Sequence, residues 1–373
     1  MARTLATTLG RLLLVVTSIV FALFVAEWVL RSTIVPIQNH TPWVRGGLVA
    51  DSEIGYRLAP NQRTVMSNGH YRVEIRTDRR GHRDVFDAAL PNPGYVAIGD
   101  SQTFGHGVEA EETWVEQLQE MLGANVVNTG VLGYSVTQYE PLLRRLHTEQ
   151  QPVRVVLYGM SWNDLLSGRV LADVKTVVDG DLVANPAYVA PREDLPLRTR
   201  LLSEPVIQRF IYQTAIGLRI RALGNSILGS LGMAAHSVSA ASLDAESEHT
   251  KRVLLEINGY LQTIGAQLVI VHLANANLSM TDLWEDYRRR YSHSRYFARE
   301  TLSSWAQQHG ILFADATEDL ERRYLESGME RTSLILPVDN HYNAGGHEVI
   351  ARVFQRVLED KGLADPDDIV PSG

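Results

Sequence analysis

The chain has 373 residues, 45% hydrophobic and 21% charged, the balance of a folded protein with a sizeable core rather than a disordered or fibrous chain. Lys and Arg number 35 against 43 Asp and Glu, a net charge of −8, so no global positive field draws nucleic-acid phosphates and no nucleic-acid partner is expected. There is no Cys, which excludes a disulfide framework, thiolate metal sites, Fe–S clusters and a cysteine nucleophile.

Residues 1–35 read as a membrane anchor. Between Arg11 and Arg31, residues 12–30 are apolar except for Thr17, Ser18 and Glu27. A helix of that length nearly crosses a hydrocarbon layer of about 30 Å. A cleaved signal peptide is the rival reading, but Phe24 and Ala26 around Val25 make a poor A-x-A cleavage site. Glu27 and Arg31 stand four apart, able to pair near the headgroups. Arg3 and Arg11 precede the span without any acid, which favours a cytoplasmic amino terminus and a large extracytoplasmic domain.

Residues 36–93 are rich in turn formers and form a β-rich lead-in, in which residues 71–77 alternate polar and apolar as a half-buried strand does. From Tyr95, short apolar runs alternate with amphipathic helices. The runs are 95–98, 126–128, 153–158, 268–272 and 311–314. Between them, Thr113 and Glu116 offer a capping box, followed by Trp114, Val115, Leu118, Met121 and Leu122 at helical spacing. Strand–helix alternation predicts a parallel sheet between helical layers, with ligands beyond the carboxyl ends of the strands. The pattern occupies 94–165 and 248–362, and residues 363–373 form a tail. Residues 166–247 interrupt it as an insertion expected to be helical, for instance around 205–223. Within it, residues 192–221 carry six Arg against Glu193, Asp194 and Glu204, which a solvated helical face explains.

Four segments carry candidate chemistry. Gly99-Asp100-Ser101 follows the first run, where a serine at a strand end can serve as a nucleophile. Thr103 stands where the α/β-hydrolase elbow wants its second glycine, and an ordinary helix cap would explain the triplet alone. After the second run, Gly133 would let a backbone N–H approach a ligand. After the third, Asn163 could donate an amide hydrogen bond to an oxyanion. Finally, Asp339-Asn340-His341 precedes a last amphipathic helix, and a carboxylate two positions before a histidine can orient its imidazole. Asp339, His341 and His347 could also be imagined as metal ligands, but they lack the i, i+4 spacing of helical zinc sites.

Taken in order, these four segments resemble the signature blocks of the SGNH (GDSL) hydrolase superfamily over about 95–358, the insertion excepted. The resemblance implies a flavodoxin-like three-layer α/β/α sandwich with a parallel sheet. It also implies a serine esterase or O-acyltransferase without cofactor or metal. Ser101 would be the nucleophile, His341 the base and Asp339 its orienting acid. Ser101, Gly133 and Asn163 would form the oxyanion hole. The usual last block separates Asp and His by two residues. Here Asn340 alone intervenes, a spacing similar to that of extracytoplasmic O-acetylation proteins of the superfamily. With the anchor, this implies an acyl ester on an envelope glycan or lipid as substrate and a multi-span membrane O-acyltransferase as a partner. A catalytically silent glycan-binding or assembly subunit is the alternative.

Overall fold

The computed structural model describes residues 46–67, 71–83, 87–149, 152–161, 164, 175–184, 240–274, 297–336 and 341–365, together with Arg11, Leu14, Val15, Thr17, Ser18 and Phe21. Most of the expected anchor therefore lies outside the described residues. Among the described residues no helix is long and apolar enough to cross a membrane.

The lead-in forms two small antiparallel ladders. Strand β1 (Leu48–Asp51) pairs with β2 (Gly55–Leu58), and β3 (Arg63–Ser67) with β4 (Arg72–Arg76). The expected alternation holds in β4, where Val73 and Ile75 are buried between exposed Arg72 and Arg76. The Asp51 carboxylate caps the turn after β1 by accepting the N–H groups of Glu53 and Ile54, each at 3.1 Å.

The α/β core then runs β5 (Tyr95–Gly99), α1 (Ser101–Phe104), α2 (Trp114–Leu122), β6 (Val126–Asn128), α3 (Tyr139–Thr148) and β7 (Val155–Ser161). After a hairpin, β8 (Lys175–Val178) and β9 (Asp181–Ala184), it continues with α4 (Ala240–Thr263), β10 (Gln267–Leu273), α5 (Phe297–Gln308), β11 (Leu312–Asp315), α6 (Thr317–Glu326) and α7 (Ala344–Asp360). The five core strands lie in the order β6-β5-β7-β10-β11, and every pairing is parallel. Numbered along the sheet's own strands this is 2-1-3-4-5, the flavodoxin-like order. Its switch point lies between β5 and β7, where a crevice opens at the strands' carboxyl ends.

Both sheet faces are covered, as continuous apolar strands require. On one face Val96, Ile98, Val156, Tyr158, Leu268 and Ile270 meet α3, α4, α5 and the lead-in. On the other, Tyr95, Ala97, Leu157, Val269 and Val271 meet α2, α6 and α7. There Trp114 and Phe354 stack with centroids 4.4 Å apart. The capping box expected at α2 closes on one side only. Thr113 accepts the Glu116 N–H at 3.2 Å, but its own N–H donates to the Ala110 carbonyl, and the Glu116 carboxylate turns to the Gln119 amide.

The insertion is described in two pieces, one a hairpin and the other helical. Residues 175–184 are a hairpin whose two-residue loop, Asp179-Gly180, has φ of 51° and 81° at its two positions. Positive φ at both is the type I′ geometry that matches strand twist, and Asp-Gly favours it. The hairpin abuts the lead-in, with the Leu48 N–H donating to the Gly180 carbonyl at 3.1 Å. The end of the insertion, from Ala240, is the start of α4; the helix expected around 205–223 lies outside the described residues.

Candidate active site

Ser101 stands at the switch point. Gly99 ends β5 directly opposite Gly159 of β7, and Thr103 Oγ1 fills the space both leave. A Cβ on Gly99 would fall 2.0 Å from that oxygen and one on Gly159 2.5 Å from it, so neither position accepts a side chain without displacing the turn that carries Ser101. Asp100 caps the four-residue helix α1, its Oδ1 accepting the Gln102 N–H at 2.9 Å. The triplet is therefore both the helix cap that a plain reading allows and the mount of the serine. The chain leaves α1 through Gly105, at φ 82°, and the N–H groups of Gly105 and His106 both donate to the Ser101 carbonyl.

His341 arrives from the far end of the chain. Its Nε2 lies 2.8 Å from Ser101 Oγ. With its proton on Nδ1, the neutral ring can accept the serine hydroxyl proton there. The segment is anchored on both sides of the ring. The His341 carbonyl accepts the Leu336 N–H at 3.0 Å, and the Tyr342 N–H donates to Gln102 Oε1 at 3.2 Å, tying the His341 segment to the helix that carries Ser101. The Tyr342 hydroxyl donates to the Ala274 carbonyl beyond β10, and Asn343 caps α7 by accepting the Gly346 N–H at 3.1 Å. His341 is thus fixed by the cap of the last helix, as Ser101 is by the cap of the first.

Of the other expected site residues, Gly133 lies in the loop after β6 with φ 75°. That loop is joined to the nucleophile's strand by the Val131 N–H, which donates to the Gly99 carbonyl at 3.2 Å. The lead-in grips its far side. The Tyr56 hydroxyl donates to the Leu132 carbonyl at 2.8 Å, the Tyr134 hydroxyl to the Tyr56 carbonyl, and the Gln138 amide to the Ile54 carbonyl at 2.9 Å. Asn163 and Asp339 lie outside the described residues.

Several residues that hold the site escaped sequence reasoning. Ser161, at the end of β7, donates through Oγ to Asp100 Oδ1 at 2.7 Å and through its N–H to Asp164 Oδ2 at 2.9 Å, linking the first and third blocks. Burial, reinforced by nearby Asp100, pushes the Asp164 carboxyl well above the usual carboxylate range. Arg83 of the lead-in is 1% exposed, and its guanidinium donates to the carbonyls of Phe104, Gly105 and Val108, each at 2.6 Å. Burial lowers its pKa to about 10, still charged at neutral pH. His347, fully buried, accepts the Trp114 N–H on Nδ1 at 3.2 Å. Burial, with Arg83 and His341 adding to it, lowers its pKa to about 3, so it is a neutral packing group. An Asx cap was visible in the Gly-Asp-Ser triplet, but nothing local marked Arg83, or the Ser161 hydroxyl, whose acceptors lie more than twenty residues away.

The arrangement brings a serine hydroxyl at a strand end within hydrogen-bond distance of an imidazole, a pairing that suits covalent acyl transfer. The GDSL-like lipase/acylhydrolase family model matches residues 97–349. Among curated proteins there is no match. Solved structures similar to this chain include a member of the lipolytic protein G-D-S-L family from Veillonella parvula, 15% identical, covering 71% of this chain and 98% of its own, with a TM-score of 0.39. A psychrotrophic esterase from Pseudoalteromonas sp. is 11% identical over 72% of this chain and 98% of its own, with a TM-score of 0.39. An acetylxylan esterase from Geobacillus stearothermophilus is 14% identical over 72% and 95%, with a TM-score of 0.38. With the family model covering more than half of its length, from the nucleophile's strand to the last helix, the chain belongs to the GDSL-like lipase/acylhydrolase family.

Proposed function

We propose that the protein is a membrane-tethered serine esterase or O-acyltransferase acting on ester-linked acyl groups of envelope glycans or lipids, with Ser101 as nucleophile and His341 as base. The observation that carries the chemistry is the 2.8 Å approach of His341 Nε2 to Ser101 Oγ across 240 residues of sequence. The tether and its extracytoplasmic orientation rest on the apolar run 12–30 and the arginines before it.

In the first half-reaction Ser101 Oγ attacks the ester carbonyl while its proton passes to His341 Nε2. The tetrahedral intermediate collapses, and the departing alcohol takes that proton, leaving an acyl-serine. In the second half, water or a sugar hydroxyl gives its proton to His341 and attacks the acyl carbon. Ser101 recovers its proton as the acid or the new ester leaves. The oxyanion of each intermediate would be met by the N–H groups of Ser101 and Gly133 and the Asn163 amide, donors worth on the order of 3 kcal/mol each. Asp339 would orient His341 through its remaining ring nitrogen. A hydrolase held beside the bilayer suits an acyl donor delivered across it, which makes a multi-span membrane O-acyltransferase the fitting partner.

The test is mass spectrometry of envelope polymers and lipids from cells carrying the wild type or Ser101→Ala. A gained or lost ester is expected. If Ser101→Ala and His341→Ala both leave envelope acylation unchanged while deletion of residues 1–35 abolishes it, the silent assembly subunit is the correct reading.

A further inference from the structure

A second imidazole touches the site. The His106 ring stacks on the His341 ring, centroids 4.0 Å apart and planes inclined by 24°. His106 rides on the nucleophile's own turn, its N–H donating to the Ser101 carbonyl at 2.9 Å. Its Nε2 lies 2.7 Å from the Tyr71 hydroxyl, and the two rings meet edge to face at 5.6 Å. Tyr71 enters β4 of the lead-in and is braced there. Ser67 Oγ donates to its carbonyl at 3.0 Å, and the space beside its ring is so closed that a Cβ on Gly107 would fall 2.9 Å from it. His106 itself is 6% exposed. The result is a row of contacts, Tyr71 to His106 to His341 to Ser101, that begins outside the α/β core.

We propose that His106 is a positioning residue of the acyl transfer, stacked face to face on the base so that Nε2 of His341 points at Ser101 Oγ, and that Tyr71 of the lead-in fixes His106 in that pose. The inference rests on the reading of Ser101 and His341 as nucleophile and base. His341 sits on an irregular segment just before α7, where its backbone is anchored but its ring keeps two rotatable bonds. A flat ring against one face stops rotation out of plane while leaving Nε2 free to exchange protons with Oγ. Proton transfer in both half-reactions depends on that alignment, so a base allowed to swing loses turnover rather than substrate affinity. Tyr71 keeps the stacked ring from turning in its own right, through one hydrogen bond to Nε2.

The experiment is steady-state hydrolysis of p-nitrophenyl acetate by the full chain, with melting temperatures recorded for each variant. His106→Ala is expected to lower kcat about 10- to 100-fold with KM within about twofold of wild type. His106→Phe, which restores a flat ring without ring nitrogens, is expected to recover kcat to within about threefold of wild type, and Tyr71→Phe to lower it by about two- to fivefold. Wild-type kcat in His106→Ala overturns the proposal. So does a His106→Phe variant that melts like wild type yet has lost kcat, an outcome that remains decisive if His106→Ala does not fold. Wild-type kcat in Tyr71→Phe removes the lead-in from the row. Undiminished turnover in Ser101→Ala would instead refute the underlying catalytic reading, a failure distinct from any of these.

Discussion

The α/β core and the lead-in serve one site by different means. The core places Ser101 after β5 and His341 before α7, with Ser161 at the end of β7 bonded to Asp100 beside them. The lead-in, which precedes the family match at residue 97, grips the loops that carry those groups. Tyr56 holds the loop of Gly133, Arg83 the carbonyls after α1, and Tyr71 the imidazole stacked on the base. Chemistry built on strand ends thus gains its rigidity from a neighbour that contributes backbone and ring contacts. Precision at a catalytic centre depends on such supporting contacts as much as on the reacting pair.

The sharpest division between the two regions is kinetic. His341→Ala should lower kcat by about 10⁴- to 10⁶-fold while leaving the fold intact, because the residue is only partly buried and its removal leaves the α7 cap in place. Stopped-flow or steady-state ester hydrolysis checks this, and a loss below about tenfold would take His341 out of the role of base.

Arg83→Leu probes the other region. It leaves three buried carbonyls without their donor, and equilibrium unfolding in urea should show a loss of about 3–5 kcal/mol. A loss under about 1 kcal/mol would mean that water replaces the guanidinium and the lead-in's grip on α1 is dispensable.

The core also offers a pH dependence. Native His347 stays neutral down to about 3, whereas in the unfolded chain it titrates near its ordinary 6.5. Below 6.5 the unfolded state therefore binds one proton more, and stability from this residue falls as pH falls, at about 1.4 kcal/mol per unit. His347→Asn keeps an acceptor for the Trp114 N–H and removes the titration. Between pH 7 and pH 4.5 it should lose about 2 kcal/mol less than wild type in urea unfolding, and parallel losses would refute the assignment. The smallest effect is expected from Tyr56→Phe, about 1 kcal/mol for the lost bond to the Leu132 carbonyl.

The same division explains what the sequence disclosed. All five core strands and their parallel order follow from short apolar runs between amphipathic helices, a local pattern that burial on both faces imposes. Ser101 and His341 were recognisable because four blocks taken in order resemble those of the family, each block alone being an ordinary cap or turn, and the fold brings the two residues to 2.8 Å. Tyr71, Arg83 and His106 left no comparable trace. Each works through a ring face or a carbonyl on a distant segment, and no spacing rule encodes such a partner. The hairpin at 175–184 is a different kind of omission. Its Asp179-Gly180 turn between two short strands is a local hairpin pattern that the helical reading of the long insertion does not contain.

The proposed role of Ser101 can be read out most directly by treating the full chain with a fluorophosphonate and mapping the adduct by mass spectrometry. One covalent phosphonyl ester is expected, on Ser101, absent in Ser101→Ala and formed far more slowly in His341→Ala. Equal labelling of wild type and Ser101→Ala, or an adduct mapped to another residue, would contradict it.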